Sequence, residues 1–304
     1  MEFLYVLERI RFPLLDSIML LLTELGAMSF FLIFAVVFFW CLDKRKGYYF
    51  VIVGLGGTVL NQFFKLWFRV PRPWVLDENF TIVEAAREGA TGYSFPSGHS
   101  QSAVSTYAGL ALLTKRRWLR YIAILLAVIV PFTRMYLGVH TPADVLVASA
   151  IALVLVFLLK PLVIDRDEKF TKWALGIAVL ASAGYLCFTN FYIFPQDVDI
   201  ACLTSGTENA LSMFGALLGL FFAYIVDRKW INFSTKAVWW AQVLKVALGL
   251  LLMLTVKEVF KAPLNYLFGA DAGRVVRYFL LTFTAGALWP LTFPWFSTLG
   301  SKEN

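Results

Sequence analysis

Nine stretches of this sequence are long and apolar enough to cross a lipid bilayer as helices, and no other feature limits the fold so strongly. A crossing helix needs about 20 mainly apolar residues, because the hydrocarbon core of a bilayer is about 30 Å thick. Backbone groups in that core must find partners within the chain, which favours helices. The alternating segments of about ten residues typical of an outer-membrane barrel are absent. The predicted spans lie near 14–42, 47–68, 98–114, 118–137, 141–163, 171–194, 208–226, 237–256 and 275–298.

Composition agrees with a chain that lies mostly in lipid. Hydrophobic residues make up 60% of the 304 residues and charged residues 15%, with a mean hydropathy of +0.72. A soluble domain is about half apolar and about a quarter charged. The first span is too long for one crossing and is interrupted by Thr23, Glu24 and Gly26, so we expect an interfacial helix within residues 1–24. The cysteines Cys41, Cys187 and Cys202 form neither a metal-binding pattern nor an even set for disulfides.

Basic residues predict the orientation of the spans. Fifteen of the 27 Lys and Arg lie in alternate connections or at Lys302, and such residues concentrate on the cytoplasmic side of membrane proteins. The N-terminus is therefore expected outside and the C-terminus inside. A net charge of +7 could also indicate a nucleic-acid partner, but basic clusters between apolar spans favour topology signals, so no nucleic acid is expected. The predicted cytoplasmic connections are 43–46, 115–120, 160–172 and 227–236, and the predicted outer ones are 68–97, 138–140, 195–207 and 257–274.

The outer connection 68–97 is the longest of these connections. It mixes acidic and basic residues with bulky apolar ones such as Trp74 and Phe80. An amphipathic segment lying on the membrane and a loosely ordered loop are both compatible with this spacing.

Three short stretches place ionisable residues at the predicted outer ends of spans: 65–73, 96–99 and 133–144. The chain has two histidines, His99 and His140, and both lie in these stretches. Ionisable groups near membrane depth are costly and are mostly functional. The three stretches belong to different spans but all lie at the same predicted membrane face. They therefore predict a shared functional site at that face.

The pattern K-x6-R-P, P-S-G-H and S-R-x5-H-x3-D resembles the signature of the type 2 phosphatidic acid phosphatase (PAP2) family, which vanadium-dependent haloperoxidases share. The sequence matches each fixed position except one, where Thr133 stands in place of the usual Ser. The resemblance covers roughly residues 45–160. It implies an all-α integral membrane protein with a PAP2-type six-helix core, to which about three C-terminal transmembrane helices are added. We expect the catalytic core in 1–194, with its motifs in 65–144, and additional transmembrane helices of unknown role in 195–304.

The resemblance also implies the chemistry of the site. His140 would attack phosphorus and form a phosphohistidine, His99 would protonate the leaving oxygen and later activate water, and Asp144 would orient His140 from one helical turn away. Three cations and two hydrogen-bond donors would hold the phosphate oxygens. These phosphate-binding residues are Lys65, Arg72, Ser97, Gly98 and Arg134. No carboxylate cluster with metal spacing accompanies the motifs, so we expect neither a metal ion nor a cofactor.

The function implied is a membrane-embedded phosphatase that hydrolyses the phosphate or diphosphate ester of a lipid, such as undecaprenyl diphosphate, phosphatidate or a sphingoid base phosphate. The stretch 93–95 looks like the polyprenyl and sphingoid branches of the family. The alternatives are a phosphatase of a soluble phosphate, such as a sugar phosphate, and a non-enzymatic lipid transporter. The expected setting is the bacterial cytoplasmic membrane, with several crossings and the active site facing the periplasm. Whether the last three spans form a homodimer contact or a lipid entry groove stays open.

Overall fold

The computed structural model describes residues 1–299, which are mostly helical and contain no strand. Several helices end in a widened π-helical turn, as at Phe38–Leu42, Lys160–Asp165, Asp227–Ile231 and Thr284–Leu288. The α-helices are α1 (Glu2–Arg9), α2 (Pro13–Glu24), α3 (Met28–Val37), α4 (Lys44–Phe68), α5 (Pro73–Leu76), α6 (Gly98–Leu113), α7 (Arg117–Tyr136), α8 (Pro142–Leu159), α9 (Glu168–Phe191), α10 (Ile200–Val226), α11 (Trp239–Val259), α12 (Lys261–Phe283) and α13 (Phe293–Thr298).

Seven helical segments in the described part of the chain are long and apolar enough to cross a membrane, and an eighth results if the bent pair α2 and α3 counts as one span. The all-α membrane fold predicted from the sequence is therefore confirmed. The bend between α2 and α3 measures 45° and falls at residues 25–27, where the sequence predicted an interruption. Pro13 opens α2, since a proline at the first helical position lacks an N–H that would have no partner there.

The predicted span 98–114 forms helix α6 but is too short and polar to qualify as a crossing by itself. It has 16 residues, which corresponds to about 24 Å, and carries several Ser and Thr side chains. Helices α7 and α8 both pack on α6, and most of its residues are buried. Its hydroxyls are shielded from lipid by protein, so the helix does not need an apolar surface.

Two predicted connections differ from the structure. Residues 261–274 were expected in a loop but lie in α12, because their sequence continues as a helix except at Gly269, whose φ of 79° introduces a kink. Helix α10 begins at Ile200, within the predicted connection 195–207. The connection 68–97 contains only the single-turn helix α5 and a 3₁₀ turn at Glu84–Ala86, which fits a loop better than a continuous amphipathic helix. Lys302, counted among the cytoplasmic basic residues, lies outside the described residues.

The described chain divides into two compact units. The first comprises residues 1–34, 53–159 and 193–206, and the second comprises 35–52, 160–192 and 207 onward. The second unit contains a buried ion pair of 2.8 Å between Lys44 and Asp227.

In the first unit, the N-terminal helices are tied to the end of α7. Helices α1 and α2 both pack on α7. Arg11 donates from Nε to the carbonyl of Tyr136 at 2.8 Å, and the Tyr136 hydroxyl donates to Asp16 at 2.7 Å. Tyr5 donates to Asp77 in the 68–97 loop at 2.7 Å. These bonds hold the C-terminal end of α7 and the neighbouring loop in one arrangement.

Candidate active site

Four helices carry the three motifs at alternating ends, and all the motif residues lie in the first unit. Lys65 lies in the last turn of α4, Gly98 begins α6, Arg134 lies in the last turn of α7, and Asp144 lies in the first turn of α8. Helices that alternate in direction bring such ends to the same side of a bundle. Pro142 opens α8, which places Asp144 one turn after His140.

His140 is buried and lies in direct contact with a guanidinium. Nη1 of Arg72 is 2.9 Å from Nε2 of His140 and also donates to the Val139 carbonyl at 2.9 Å. A guanidinium can only donate, so Nε2 accepts and the ring proton belongs on Nδ1. The remaining Arg72 nitrogens donate to the carbonyls of Thr91 and Gly92 at 2.7 and 3.0 Å. The structure therefore presents a neutral imidazole whose free electron pair faces a cation.

Ser94 completes a triangle with His140 and Asp144. The Ser94 hydroxyl donates to Oδ2 of Asp144 at 2.6 Å and lies 3.4 Å from Nδ1 of His140. The same Oδ2 accepts from the backbone N–H of Thr141 at 2.7 Å and lies 3.4 Å from Nδ1 of His140. The distance from histidine to aspartate is long for a hydrogen bond. Asp144 is thus fixed by Ser94 and the helix start, and it faces the Nδ1 side of the ring.

Arg134 is almost fully buried, and two of its nitrogens have no partner. Nη1 donates to the Thr23 hydroxyl at 2.8 Å, whereas Nε and Nη2 make no hydrogen bond within the described part of the chain. The Arg134 carbonyl accepts from the backbone N–H of Val139 and of His140, which folds the 137–140 turn onto the end of α7. Buried charged donors without partners are costly, so this pair of N–H groups indicates a place for an anion.

The start of α6 supplies further donors. Ser97 caps the helix by accepting from the Ser100 backbone N–H at 3.3 Å, and it also accepts from the Ser100 hydroxyl at 2.9 Å. Its own hydroxyl proton is used in neither bond. The Ser97 N–H donates to the Asp144 carbonyl at 3.0 Å, which joins α6 to α8. Lys65 donates to the Tyr93 carbonyl and is buried.

The three cations act on both histidines. The charges of Arg134, Arg72 and Lys65 are the main electrostatic neighbours of His99, and Arg72, Lys65 and Arg134 are those of His140. Burial, together with these charges, lowers the pKa of His140 well below its ordinary value. His140 is therefore neutral near pH 7, in agreement with Nε2 accepting from Arg72.

Two family profiles match the chain. One, described as PAP2 superfamily, matches residues 45–168, and the other, described as PAP2 superfamily phosphatase, transmembrane extension, matches residues 211–302. Undecaprenyl-diphosphatase BcrC of Bacillus subtilis is 31% identical over 146 residues, which cover 47% of this chain and 72% of the relative. Phosphatidylglycerophosphatase B of Bacillus subtilis is 33% identical over 177 residues, which cover 54% of this chain and 81% of the relative. The chain belongs to the PAP2 superfamily.

A eukaryotic PAP2 relative aligns over more of the chain. Sphingosine-1-phosphate phosphatase 1 of Rattus norvegicus is 27% identical over 261 residues, which cover 79% of this chain and 58% of the relative. This PAP2 chain is thus a multi-pass membrane phosphatase, a hydrolase of phosphoric esters.

At Thr133, the position where this chain departs from the PAP2 motif, the hydroxyl points back into its own helix. It donates to the Val130 carbonyl at 2.6 Å. A hydroxyl has one proton, and phosphate oxygens need donors, so Thr133 does not offer a phosphate contact in this arrangement.

Two further side chains that the motifs do not contain lie at the candidate site. Ser94 contacts Asp144 and His140, as described, and its sequence signal was its place three residues before Ser97. Asn61 lies one helical turn before Lys65 on α4 and is buried beside Gly98. That spacing of four residues puts Asn61 and Lys65 on one face of the helix, a signal that the sequence does carry. Within residues 1–299, no three His, Cys, Asp or Glu side chains are grouped to hold a metal ion; metal independence itself stays a prediction.

Proposed function

We propose that this chain hydrolyses the phosphate or diphosphate ester of a membrane lipid through a phosphohistidine on His140. The observation that carries the proposal is the cationic surrounding of a neutral His140. Arg72 lies on its Nε2, and Arg134 offers two buried N–H groups that have no partner. A phosphoryl group would satisfy these donors and bring phosphorus to Nε2.

In the first step, the Nε2 electron pair of His140 forms a bond to phosphorus as the bond from phosphorus to the ester oxygen breaks. His99 gives a proton to the leaving oxygen; burial and the three cations lower the pKa of His99 to about 3, and the negative charge of the bound phosphate would raise that pKa and allow the ring to be protonated. Arg72, Arg134 and Lys65 neutralise the charge on the equatorial oxygens, and Ser97 and the Gly98 N–H donate to them. Arg72 has to leave Nε2 for a phosphate oxygen, so substrate binding itself exposes the nucleophile.

In the second step, water attacks phosphorus and the bond between nitrogen and phosphorus breaks. His99, now neutral, takes the proton of the water, and inorganic phosphate is released. Asp144 stabilises the positive charge that the ring carries while phosphorylated, with Nδ1–H directed toward the carboxylate. Both histidines return to their starting protonation states.

A lipid substrate is favoured over a soluble one by an apolar groove next to the site. The groove has a volume of about 760 Å³ and is formed by α6, α7 and α8. Its lining includes Met135, the residue after Arg134, and Val145, the residue after Asp144, and it extends along α7 to Arg120. Fifteen residues of helix correspond to about 22 Å. A hydrocarbon tail could lie along this groove while its phosphate reaches the cations.

The relatives suggest the substrate class. Their names refer to undecaprenyl diphosphate, phosphatidylglycerophosphate and sphingosine 1-phosphate, which share a terminal phosphate on a lipid. That shared group is what the site would recognise, and the tail would be selected in the groove. We propose the bacterial cytoplasmic membrane as the setting, with residues 1–194 as the catalytic core and 195–304 as an extension.

We further propose that the site faces the periplasm, on the strength of the basic connections. A cysteine at exposed Glu88, in the loop before α6, should react with an impermeant maleimide in intact spheroplasts. A cysteine at exposed Arg116, between α6 and α7, should react only after the membrane is permeabilised. Both variants belong in a background without the three native cysteines. The reversed labelling pattern would overturn the orientation.

The function itself is tested by phosphate release in detergent from a panel of lipid phosphates and diphosphates, with glucose 6-phosphate as the soluble control. We expect release from at least one lipid and none from the sugar phosphate. The His140→Ala variant should retain less than about one part in a thousand of the activity, because it lacks the nucleophile. A folded His140→Ala variant with substantial activity would exclude the phosphohistidine, and release from glucose 6-phosphate alone would exclude the lipid.

A further inference from the structure

Asn61 is a buried carboxamide whose hydrogen-bonding groups are unused. It is 1% exposed, and neither Oδ1 nor Nδ2 has a hydrogen-bond partner among residues 1–299. A buried amide without partners is unfavourable relative to the hydrated group, because it has lost its hydrogen bonds to water. An apolar residue of the same shape, such as leucine, would avoid that cost entirely. We therefore expect the hydrogen-bond partner of this side chain to be a bound ligand.

The location of Asn61 indicates what that partner is. A Cβ atom placed on Gly98 would be 3.9 Å from Oδ1 of Asn61, so the carboxamide lies against the backbone that begins α6. Gly98 lies between Ser97 and His99, and Lys65 follows Asn61 by one turn on α4. The carboxamide thus lies beside the start of α6, on the face of α4 that also carries Lys65.

The buried amide of Gln101, by contrast, is paired within the protein. Gln101, on α6, is also buried, but its Nε2 donates to Ser105 at 3.0 Å. Gln101 also closes over Gly57, where a Cβ atom would be 2.0 Å from Nε2. Gln101 therefore has a structural role where α6 contacts α4. The side chain of Asn61 makes no such hydrogen bond within the described residues.

We propose that Asn61 is a further substrate-binding residue of this site, whose Nδ2–H donates to a phosphoryl oxygen of the bound lipid phosphate. This proposal rests on the proposed function. An amide donor adds a directed hydrogen bond without adding charge to a site that already holds three cations. The bond should strengthen as negative charge grows on the equatorial oxygens, so its loss lowers kcat as well as raising KM.

The test compares Asn61→Leu and Asn61→Asp with wild type, using a short-chain lipid phosphate in detergent and inorganic vanadate as a phosphate analogue. Asn61→Leu should lower kcat/KM by about 10–100-fold and raise the vanadate concentration for half inhibition by about tenfold or more, the range for one hydrogen bond to a charged group. Its thermal unfolding temperature should be equal to or above that of wild type, because unsatisfied polar atoms are removed. Asn61→Asp should lose more activity, since a carboxylate repels the phosphate.

Gln101→Leu is the matched control: it should change thermal stability and leave vanadate inhibition within twofold of wild type. If Asn61→Leu does not fold, Asn61→Ser replaces it, with the same expected direction. A folded Asn61→Leu or Asn61→Ser variant with vanadate inhibition and kcat/KM within twofold of wild type would overturn the proposal. Inactive wild-type protein on every lipid would instead count against the proposed function, so the two failures are distinguishable.

Discussion

Arg72 and His140 form the central contact of the site: Nη1 of the arginine lies 2.9 Å from Nε2 of the histidine. This single distance assigns the proton of the ring to Nδ1 and gives Arg72 two tasks. Without substrate it covers the electron pair of His140, and with substrate it would bind a phosphate oxygen. The contact also couples the charge of Arg72 to the titration of His140, which can be measured.

The acid limb of the pH profile of kcat/KM should lie at a lower pH than the ordinary pKa range of histidine. Burial and the neighbouring cations, Arg72 foremost, lower the pKa of His140, so the neutral nucleophile persists to a lower pH than the usual value of 6.5. Removing one positive charge raises that pKa again. In Arg72→Gln, the acid limb of residual kcat/KM should therefore move to higher pH, besides a large loss of activity.

The profile is measured with one short-chain substrate for both proteins, so that the ionisation of the substrate phosphate is common to them. Arg87→Gln is the control, because Arg87 is an exposed arginine paired with Glu84 in the 68–97 loop. Arg87→Gln should leave the pH of the acid limb unchanged. An identical limb in wild type and Arg72→Gln would contradict the coupling.

Ser94→Ala should lower kcat by about tenfold with a smaller change in KM. The hydroxyl fixes Oδ2 of Asp144 at 2.6 Å, and its loss frees the carboxylate that faces Nδ1 of His140. Steady-state kinetics and a phosphohistidine assay on quenched enzyme would measure the effect. Ser102→Ala is the control, since the Ser102 hydroxyl is buried without a partner and its removal should be neutral or stabilising. Equal kinetics in the two variants would show that Ser94 has no positioning role.

Ala108→Trp should discriminate between substrates by the length of their tails. Ala108 lies on the α6 side of the apolar groove, so an indole there fills the space proposed for the tail. KM for a long-chain lipid phosphate should rise about tenfold or more, while hydrolysis of a short-chain analogue should change little. Ala150→Trp, at an exposed position of α8 outside the groove, is the control. Equal effects on long and short substrates would place the tail elsewhere.

Gly26→Val should impair the site from a distance. A Cβ atom at Gly26 would be 2.6 Å from Val130 and 3.0 Å from the backbone oxygen of His99, so the bend between α2 and α3 has no room for a side chain. The variant has to displace α7 or the start of α6, with an expected loss of activity of tenfold or more, on the order of the effect of a 1 Å misplacement. Gly56→Ala is the control: its added methyl group meets nothing within 4 Å, and alanine favours the helix, so thermal stability should hold or rise slightly. Normal activity in Gly26→Val would show that this close approach is not needed.

Much of the fold could be predicted from the sequence because the bilayer imposes a simple rule. Long apolar stretches become helices, and the interruption at Gly26 and the helix start at Pro142 follow from local residue chemistry. The rule fails for α6, whose serines are covered by α7 and α8, and for residues 261–274, where helix α12 continues beyond the apolar stretch. In both places, helix formation depends on neighbours or on local propensity and not on hydropathy.

The sequence by itself also predicted the members of the site, since three motifs with fixed spacing contain the two histidines, the aspartate and the cations. Only the tertiary structure decided how they meet. Arg72 contacts Nε2 of His140, Ser94 contacts both His140 and Asp144, and the Thr133 hydroxyl donates to its own helix. The side chain of Asn61 has no hydrogen-bond partner in the described residues. Spacing along one helix reveals which residues share a face, but a hydrogen bond between different helices depends on their packing, and no local pattern in the chain encodes that distance.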